Sequence, residues 1–256
     1  INEFKMRNAL DKFNILKKYS YQEWKIQKIE EASGSEINLD YYPLEIEKMP
    51  INTATHKEFT QGELLEYVRE HIELFKKVEG ESKVDFGPYE SKDAKKWGSK
   101  NPIGAVMKFQ VGGDSMNPFP IGRNPNPDDL SVVLSSISPN SWVFTTIQNP
   151  EDAQHAVSGN REFGIKEENG KVIFYTKGAD RLTGEVDKFA NRFIPANWQQ
   201  IPNLLKNQES VFIGGDYIWR NLLKNISEFI NKNLGTANLK VEKIVSQRIE
   251  WKLFEK

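Results

Sequence analysis

The stretch Glu162–Lys177, EFGIKEENGKVIFYTK, decides the fold of this chain. Its centre is Asn169-Gly170, which suits a two-residue type I′ turn because both residues tolerate a positive φ. With these two residues in the turn, apolar side chains share one face of the ladder and charged pairs share the other. The predicted cross-strand pairs are Glu168–Lys171, Ile165–Phe174, Gly164–Tyr175 and Glu162–Lys177. The stretch therefore predicts a β-hairpin.

Upstream of this hairpin the sequence keeps the period of β-structure. Val106–Val111 alternates apolar and polar residues, which is typical of a strand with one polar face. Ser131–Ile137 and Ser141–Ile147 are rich in β-branched and aromatic residues, and Ser138–Asn140 predicts a three-residue turn between them. Short strands joined by turns indicate an antiparallel sheet.

Helical periods dominate the two ends of the chain. Phe4–Tyr19 carries apolar residues at steps of three and four, and we expect a helix there. The Thr60–Glu63 capping box predicts a second helix over Gln61–Lys77. Near the C-terminal end, Leu182–Phe193 has a helical period, and Asp216 can cap a last helix that ends near Leu234-Gly235.

Two further segments connect these elements. Leu39–Ala54 contains Pro43 and Pro50, which predicts an extended connector. Leu239–Val245 predicts a short final strand.

These elements predict an α+β protein. We expect an antiparallel sheet of about five to six strands, with N-terminal and C-terminal helices packed mainly on one face. Residues 1–58 form an N-terminal helical and extended segment in this prediction, and residues 59–256 form the α+β domain. The alternative is that the whole chain is one domain.

The composition excludes several classes of chemistry. The chain has 256 residues, no cysteine, three histidines, and 35 Lys plus Arg against 36 Asp plus Glu. Without cysteine there are no disulfides, thiolate metal sites or cysteine nucleophiles. The near-zero net charge argues against a nucleic-acid-binding protein. No apolar run is long enough to predict a transmembrane segment. We also expect no metal and no cofactor.

His155 is the first candidate for catalysis. It lies in a predicted loop close to Ser158 and Arg161, where it could act as a general base or orient a nucleophile. The alternative is that His155 is a solvated loop residue beside a turn.

Cationic side chains around the hairpin form a candidate binding site. Lys177 and Arg181, with Arg161 across the ladder, would lie near one end of the sheet and could hold a phosphate or carboxylate. Tyr175 and Asp180 complete this candidate site, and Asp180 can also cap a helix. The alternative is a solvated rim in which these cations pair with neighbouring acidic residues.

The most irregular segment is Gly112–Asp129, GGDSMNPFPIGRNPNPDD. Its Asp114, Asp128 and Asp129 could gather a hard cation, although their spacing differs from that of an EF-hand loop. A simple connector between strands is the alternative, and so is the mouth of a binding cavity.

Two stretches resemble paired motifs of a known group of proteins. His155–Gly164, HAVSGNREFG, and Phe174–Arg181, FYTKGADR, are similar to motifs in uncharacterised modules near the C-terminal ends of bacterial Rhs-type and other polymorphic-toxin proteins, especially in Bacteroidetes. The resemblance covers about residues 60–254, and Ala156 departs from it where proline is expected. Other similar stretches are Phe86–Tyr89, Trp97, Asn101–Ala105, Trp142–Thr146, Trp219 and Trp251.

The resemblance implies an effector or effector-associated module of an exported toxin system. It implies secretion or delivery by a secretion system, with the protein in the cytoplasm of the producing cell before export. The expected partners are an immunity protein or a component of the secretion apparatus. An exported module would also gain from having no cysteine.

Two other functions stay open beside the effector. One is a non-catalytic ligand- or partner-binding α+β domain, with an apolar cavity under the covered face of the sheet. The other is a hydrolase or transferase centred on His155 and Arg161, with Ser158 as a further participant.

Overall fold

The computed structural model describes residues 25–76, 84–111, 129–148, 155–183 and 209–254. Within these ranges the strands are β1 Lys25–Ile26, β2 Glu36–Lys48, β3 Ile51–Asn52, β4 Lys57–Glu58, β5 Val84–Pro88, β6 Val106–Val111, β7 Asp129–Ser138, β8 Ser141–Gln148, β9 Val157–Glu168, β10 Lys171–Leu182, β11 Thr236–Leu239 and β12 Val245–Glu250. The α-helices of these ranges are α1 Gln61–Glu70, α2 Ser91–Trp97 and α3 Glu209–Lys232. Short 3₁₀ turns lie at Ile29–Glu31, Ile72–Leu74, Val241–Lys243 and Trp251–Leu253.

Ten of the strands form one antiparallel sheet, so the α+β class predicted from the sequence is confirmed. The order is β11-β2-β10-β9-β8-β7-β6-β5, with β1 added to the end of β8 and β12 added to β2. The two remaining strands, β3 and β4, pair with each other. The expected number of five to six strands was wrong, because β2 and several strands of two to six residues belong to the same sheet.

The β9–β10 hairpin has the predicted register. Glu168 pairs with Lys171, and the ladder continues without a shift to Val157 and Leu182. Both turn residues have a positive φ, 53° at Asn169 and 72° at Gly170, as a type I′ turn requires. The Tyr175 ring also covers Gly164, where an added Cβ would come within 2.5 Å of it.

The β7–β8 hairpin is tighter than predicted. Ser138 pairs with Ser141, so the turn has the two residues Pro139 and Asn140 and not three. The Ser138 hydroxyl accepts a hydrogen bond from the Asn140 backbone N–H at 3.3 Å, which stabilises the shorter turn.

The predicted connector Leu39–Ala54 contains most of β2, a strand inside the sheet. Its Pro43 is tolerated because the outer neighbour of β2 is interrupted at this point. β12 pairs with residues 36–41 of β2, and β11 pairs with residues 44–48. The Pro43 carbonyl points towards β11 and β12, where it accepts a hydrogen bond from the backbone N–H of Lys240. The backbone N–H that Pro43 lacks would point to the same side, into the gap between these two short strands.

Helix α1 begins as predicted, with both hydrogen bonds of the capping box between Thr60 and Glu63. It ends at Glu70 and continues as a 3₁₀ turn, so it is shorter than the predicted Gln61–Lys77. The apolar side chains of the predicted stripe are buried. They are Leu64, Leu65, Val68, Ile72 and Phe75.

Helix α3 is longer than predicted. Because it starts at Glu209, Asp216 lies inside the helix and does not cap it. The end of the helix was predicted well, since Leu234 takes a φ of 63° just before Gly235.

The expected N-terminal and C-terminal placement of the helices was wrong. Two strands follow α3, and α1 and α2 lie between strands. The predicted helix Phe4–Tyr19 lies outside the described residues, and so does nearly all of Leu182–Phe193. In the described part of that second segment, Leu182 belongs to β10.

The main core lies between the helices and one face of the sheet, which we call the inner face. On this face, Leu44 of β2, Phe163 of β9 and Phe174 of β10 pack in one cluster with α1 and α3. The helical contribution includes Leu65 and Ile226. Among the described residues, no helix is long and apolar enough to cross a membrane.

Candidate functional site

A cavity of about 150 Å³ remains between the inner face of the sheet and α3. Its walls come from β2, β5, β7 to β10, α3 and residues 72–76. Most of the lining is apolar, and aromatic rings dominate it. These rings are Phe75, Phe86, Phe144, Phe163, Phe212 and Trp219.

One end of the cavity is polar because of the alternation of side chains along three neighbouring strands. Asn38 and Asp40 of β2 lie opposite Asp180 and Gly178 of β10, and Gly178 lies opposite Arg161 of β9. Directly opposed residues of a ladder share a face, so all of these residues belong to the inner face.

Arg161 is the centre of this polar end. Its Nη1 and Nη2 donate to Asp40 Oδ1 and Oδ2, both at 2.7 Å, and Nη2 also contacts Asp180 Oδ2 at 3.2 Å. The guanidinium lies 4.3 Å from the centre of the Trp219 ring on α3. A Cβ at Gly178 would collide with the guanidinium, so the missing side chain at that position makes room for Arg161.

The second carboxylate, Asp180, is held less well. Burial raises the pKa of Asp180 to about 7, since Arg161 offsets only part of the cost of burial and Asp40 adds like-charge repulsion. Asn38 Nδ2 donates to Asp40 at 3.0 Å, while the buried Oδ1 atom of Asn38 has no hydrogen-bond partner among the described residues. The polar end therefore has more acceptor capacity than the described residues satisfy.

A second polar group joins α3 to the edge of the sheet. Tyr42 of β2 donates to Asp216 of α3, and Ser246 of β12 donates to the same carboxylate at 3.3 Å. Burial, together with the negative charge of Asp40, raises the pKa of Tyr42 well above its usual value. Tyr42 therefore stays neutral and acts as a donor that fixes α3 over the polar end.

His155 lines the same cavity and lies two residues before the start of β9. The side chain of Gln27 accepts from the His155 N–H at 2.8 Å and donates to the His155 carbonyl at 3.0 Å. His155 Nδ1 accepts from the Val157 N–H at 3.3 Å, and burial lowers the pKa of His155 to about 4. His155 is therefore a neutral imidazole at pH 7.

Ser158, the predicted nucleophile beside His155, belongs to the opposite face. It lies opposite Arg181 in the ladder, and its hydroxyl is 3.5 Å from the Gln27 amide. The structure thus brings His155 and Arg161 to one cavity and places Ser158 on the other side of the sheet.

The predicted cation site is divided in the same way. Arg181 donates to the Gly34 carbonyl at 2.5 Å and lies over the Trp251 ring on the outer face. Lys177 lies 3.4 Å from Glu162, and Tyr175 donates to the same carboxylate at 2.7 Å. Arg161 therefore does not share a site with Lys177 and Arg181.

Asp180 also differs from its sequence-based interpretation. It lies within β10 and does not cap a helix. Its carboxylate faces Arg161 in the cavity, apart from Tyr175, Lys177 and Arg181.

Sequence reasoning missed the part of the site that β2 contributes. Asn38, Asp40 and Tyr42 recur at every second residue and continue into Leu44 and Ile46. This alternation is the signal of a strand with one buried face. Pro43 hid it, because a proline argues against a central strand.

Two other expectations concern metals and the irregular loop. The described residues contain no group of three or more His, Asp or Glu side chains arranged to hold a metal ion. Residues 112–128 lie outside the described residues, so Asp114 and Asp128 stay predictions. Asp129 is described only as the first residue of β7.

Comparisons with known proteins give likenesses of shape alone. No family model matches the chain, and no curated protein matches it. Among solved structures, the di-domain ARO/CYC StfQ from the steffimycin biosynthetic pathway aligns with a TM-score of 0.45 and 6% identity, over 78% of this chain and 53% of that one. This chain therefore spans about half of that protein. Ara h 8.0201 aligns with a TM-score of 0.36 and 10% identity, over 73% of this chain and 97% of that one.

Proposed function

We propose that this protein binds a small, largely apolar ligand in the cavity between the inner face of the sheet and α3. The observation that carries the proposal is the combination of an aromatic lining with one polar end formed by Asp40, Arg161 and Asp180. Binding sites for small molecules are commonly apolar hollows with a few polar groups that fix the orientation of the ligand.

The size of the cavity limits the ligand. A volume of about 150 Å³ is small for a binding site, since ligand pockets commonly have roughly 300–1,000 Å³. An apolar cavity of about 150 Å³ accepts a molecule the size of benzene. We therefore expect a ligand, or a buried part of one, with about six to nine non-hydrogen atoms.

Toluene is a suitable probe of the apolar part of the cavity. At a free concentration ten times its Kd, we expect about 1.4 kcal/mol of stabilisation and a rise in Tm of about 3–6 °C. Scanning calorimetry of the full chain measures the shift, and an NMR titration gives the Kd.

A cavity-filling variant provides the control. Ile218 lines the cavity, so Ile218→Trp should abolish the toluene effect. The matched variant Val241→Trp adds the same ring at a position that is 56% exposed and outside the cavity, and it should keep the effect. Equal shifts in both variants, or no shift in the wild-type protein, would contradict the proposal.

We keep the exported-effector function as a second proposal. Its support is the resemblance carried by His155–Gly164 and Phe174–Arg181, and these two stretches contain Arg161 and Asp180 of the cavity. We expect expression in a susceptible bacterium, directed to the cytoplasm or the periplasm, to slow growth. Arg161→Met at equal protein levels should relieve the effect, and harmless expression in both compartments would count against this function.

A further inference from the structure

We infer that the ligand of this cavity is a small amine, with its ammonium group paired to Asp180 and its apolar body in contact with the aromatic rings. The inference depends on the proposed binding function and adds the chemistry of the ligand.

The polar end carries more negative than positive charge. Two carboxylates, Asp40 and Asp180, share the guanidinium of Arg161. Asp40 receives both of its Nη groups at 2.7 Å, whereas Asp180 receives only Nη2, at 3.2 Å, and a hydrogen bond from the Asn38 amide. The carboxylate of Asp180 is thus only partly compensated, and a ligand cation would restore the balance.

Asp180 is also the carboxylate that a ligand can reach. Its side chain is 14% exposed, compared with 3% for Asp40, and it lines the cavity. Above pH 7 the carboxyl group of Asp180 is mostly ionised, because its pKa is about 7. At pH 8 it therefore presents a negative charge to the cavity.

Asn38 offers a ligand cation a hydrogen-bond acceptor beside Asp180. This residue is 2% exposed and lines the cavity, and in the part of the chain that the structure describes its Oδ1 atom has no hydrogen-bond partner. Its Nδ2 donates to Asp40, which fixes Oδ1 as the free end of the amide. An ammonium group has three N–H donors and no acceptor, so it can satisfy Asn38 Oδ1 and Asp180 together.

The aromatic lining of the cavity also favours a cation. Cations are attracted to the faces of aromatic rings, and hollows built from such rings recognise ammonium groups. Arg161 already lies against Trp219 at the polar end, which shows that this environment accepts a cation. An anionic ligand would meet the negative charge of Asp40 and Asp180, and Arg161 is already used by both of them.

The test compares four probes of similar size at pH 8: benzylamine, benzyl alcohol, toluene and benzoate. Aliphatic amines are mostly protonated at this pH. We expect benzylamine to bind at least about tenfold more tightly than toluene or benzyl alcohol, and benzoate to bind more weakly than toluene. The NMR titration uses the wild-type full chain.

The variant Asp180→Asn tests the residue. It should reduce benzylamine affinity at least about tenfold and leave the toluene Kd within about twofold. Glu168→Gln removes an exposed carboxylate near the other end of the hairpin and should change neither value. If Asp180→Asn does not fold, the wild-type series still decides.

The outcomes separate the inference from the proposed function. Toluene binding without a preference for benzylamine would overturn the amine and leave the cavity as a binding site. Binding of none of the four probes would overturn both. Tighter binding of benzoate than of benzylamine would also overturn the inference, because it would show that the polar end selects anions.

Discussion

Replacing Arg161 with methionine is expected to lower the free energy of unfolding by about 3–5 kcal/mol. Methionine keeps much of the length of the side chain and removes the charge, so Asp40 and Asp180 stay on the inner face without a counter-ion. The Asp40 side chain is 3% exposed, and water cannot replace the two hydrogen bonds that it loses. The stacking of the guanidinium on Trp219 is lost as well.

Urea unfolding at pH 7 measures this effect, and the chain offers a matched control on the same strand. Lys166 forms an ion pair with Glu168 in which both side chains are more than 40% exposed. Lys166→Met should therefore cost less than about 1 kcal/mol. Adding Asp40→Leu to Arg161→Met should recover part of the stability, because one uncompensated charge is removed. A loss below about 1 kcal/mol in Arg161→Met would contradict this account.

The sequence was sufficient for the local part of the fold. Asn169-Gly170 determines the turn of the hairpin, and the turn then fixes the register along both strands. The same register already implies the division of the predicted cation site. Arg161 lies opposite Gly178, while Arg181 lies opposite Ser158, three pairs away. Successive pairs of a ladder face opposite sides, so these two arginines lie on different faces.

The polar end of the cavity depends on contacts that no local pattern encodes. Asp40 and Arg161 are separated by 121 positions in the sequence and meet only because β2 pairs with β10. This pairing was hidden by Pro43, which is tolerated only because β11 and β12 leave a gap beside it. Predicting the site would have required the order of the strands.

The cavity depends both on the local pattern of each strand and on how the strands and helices pack together. A hydrophobic pattern predicts which face of each strand is buried, but not whether the core is filled. Arg161, Asp180 and Asn38 occupy inner-face positions that apolar residues hold elsewhere on these strands. Polar groups in such positions are costly for folding, so their presence beside an unfilled space favours a role in binding.

A second large effect is expected in the pH dependence of stability, because two groups of the cavity titrate in opposite senses. The folded-state pKa of Asp180, about 7, lies above its ordinary value of 3.8. The folded protein therefore holds the proton of Asp180 more tightly than the unfolded chain does. Protonated Asp180 contributes to stability at low pH, and this contribution is lost as the pH rises from about 4 to 7. The folded-state pKa of His155, about 4, lies below its ordinary value of 6.5. Its contribution is complete above pH 6.5 and is lost as the pH falls to about 4.

Single variants should uncover the two opposing slopes. In Asp180→Asn only the histidine contribution remains, so the free energy of unfolding should rise more steeply with pH between 4 and 6.5 than in the wild-type protein. In His155→Asn only the Asp180 contribution remains. As the pH rises from 4 to 6.5, the free energy of unfolding of this variant should therefore decrease relative to that of the wild-type protein. The double variant should lose both contributions and follow the titration of the other groups alone. Urea unfolding at pH 4, 5, 6 and 7 gives the four profiles. Parallel profiles for the wild-type protein and both single variants would contradict the prediction, because they would show that folding shifts the pKa of neither Asp180 nor His155.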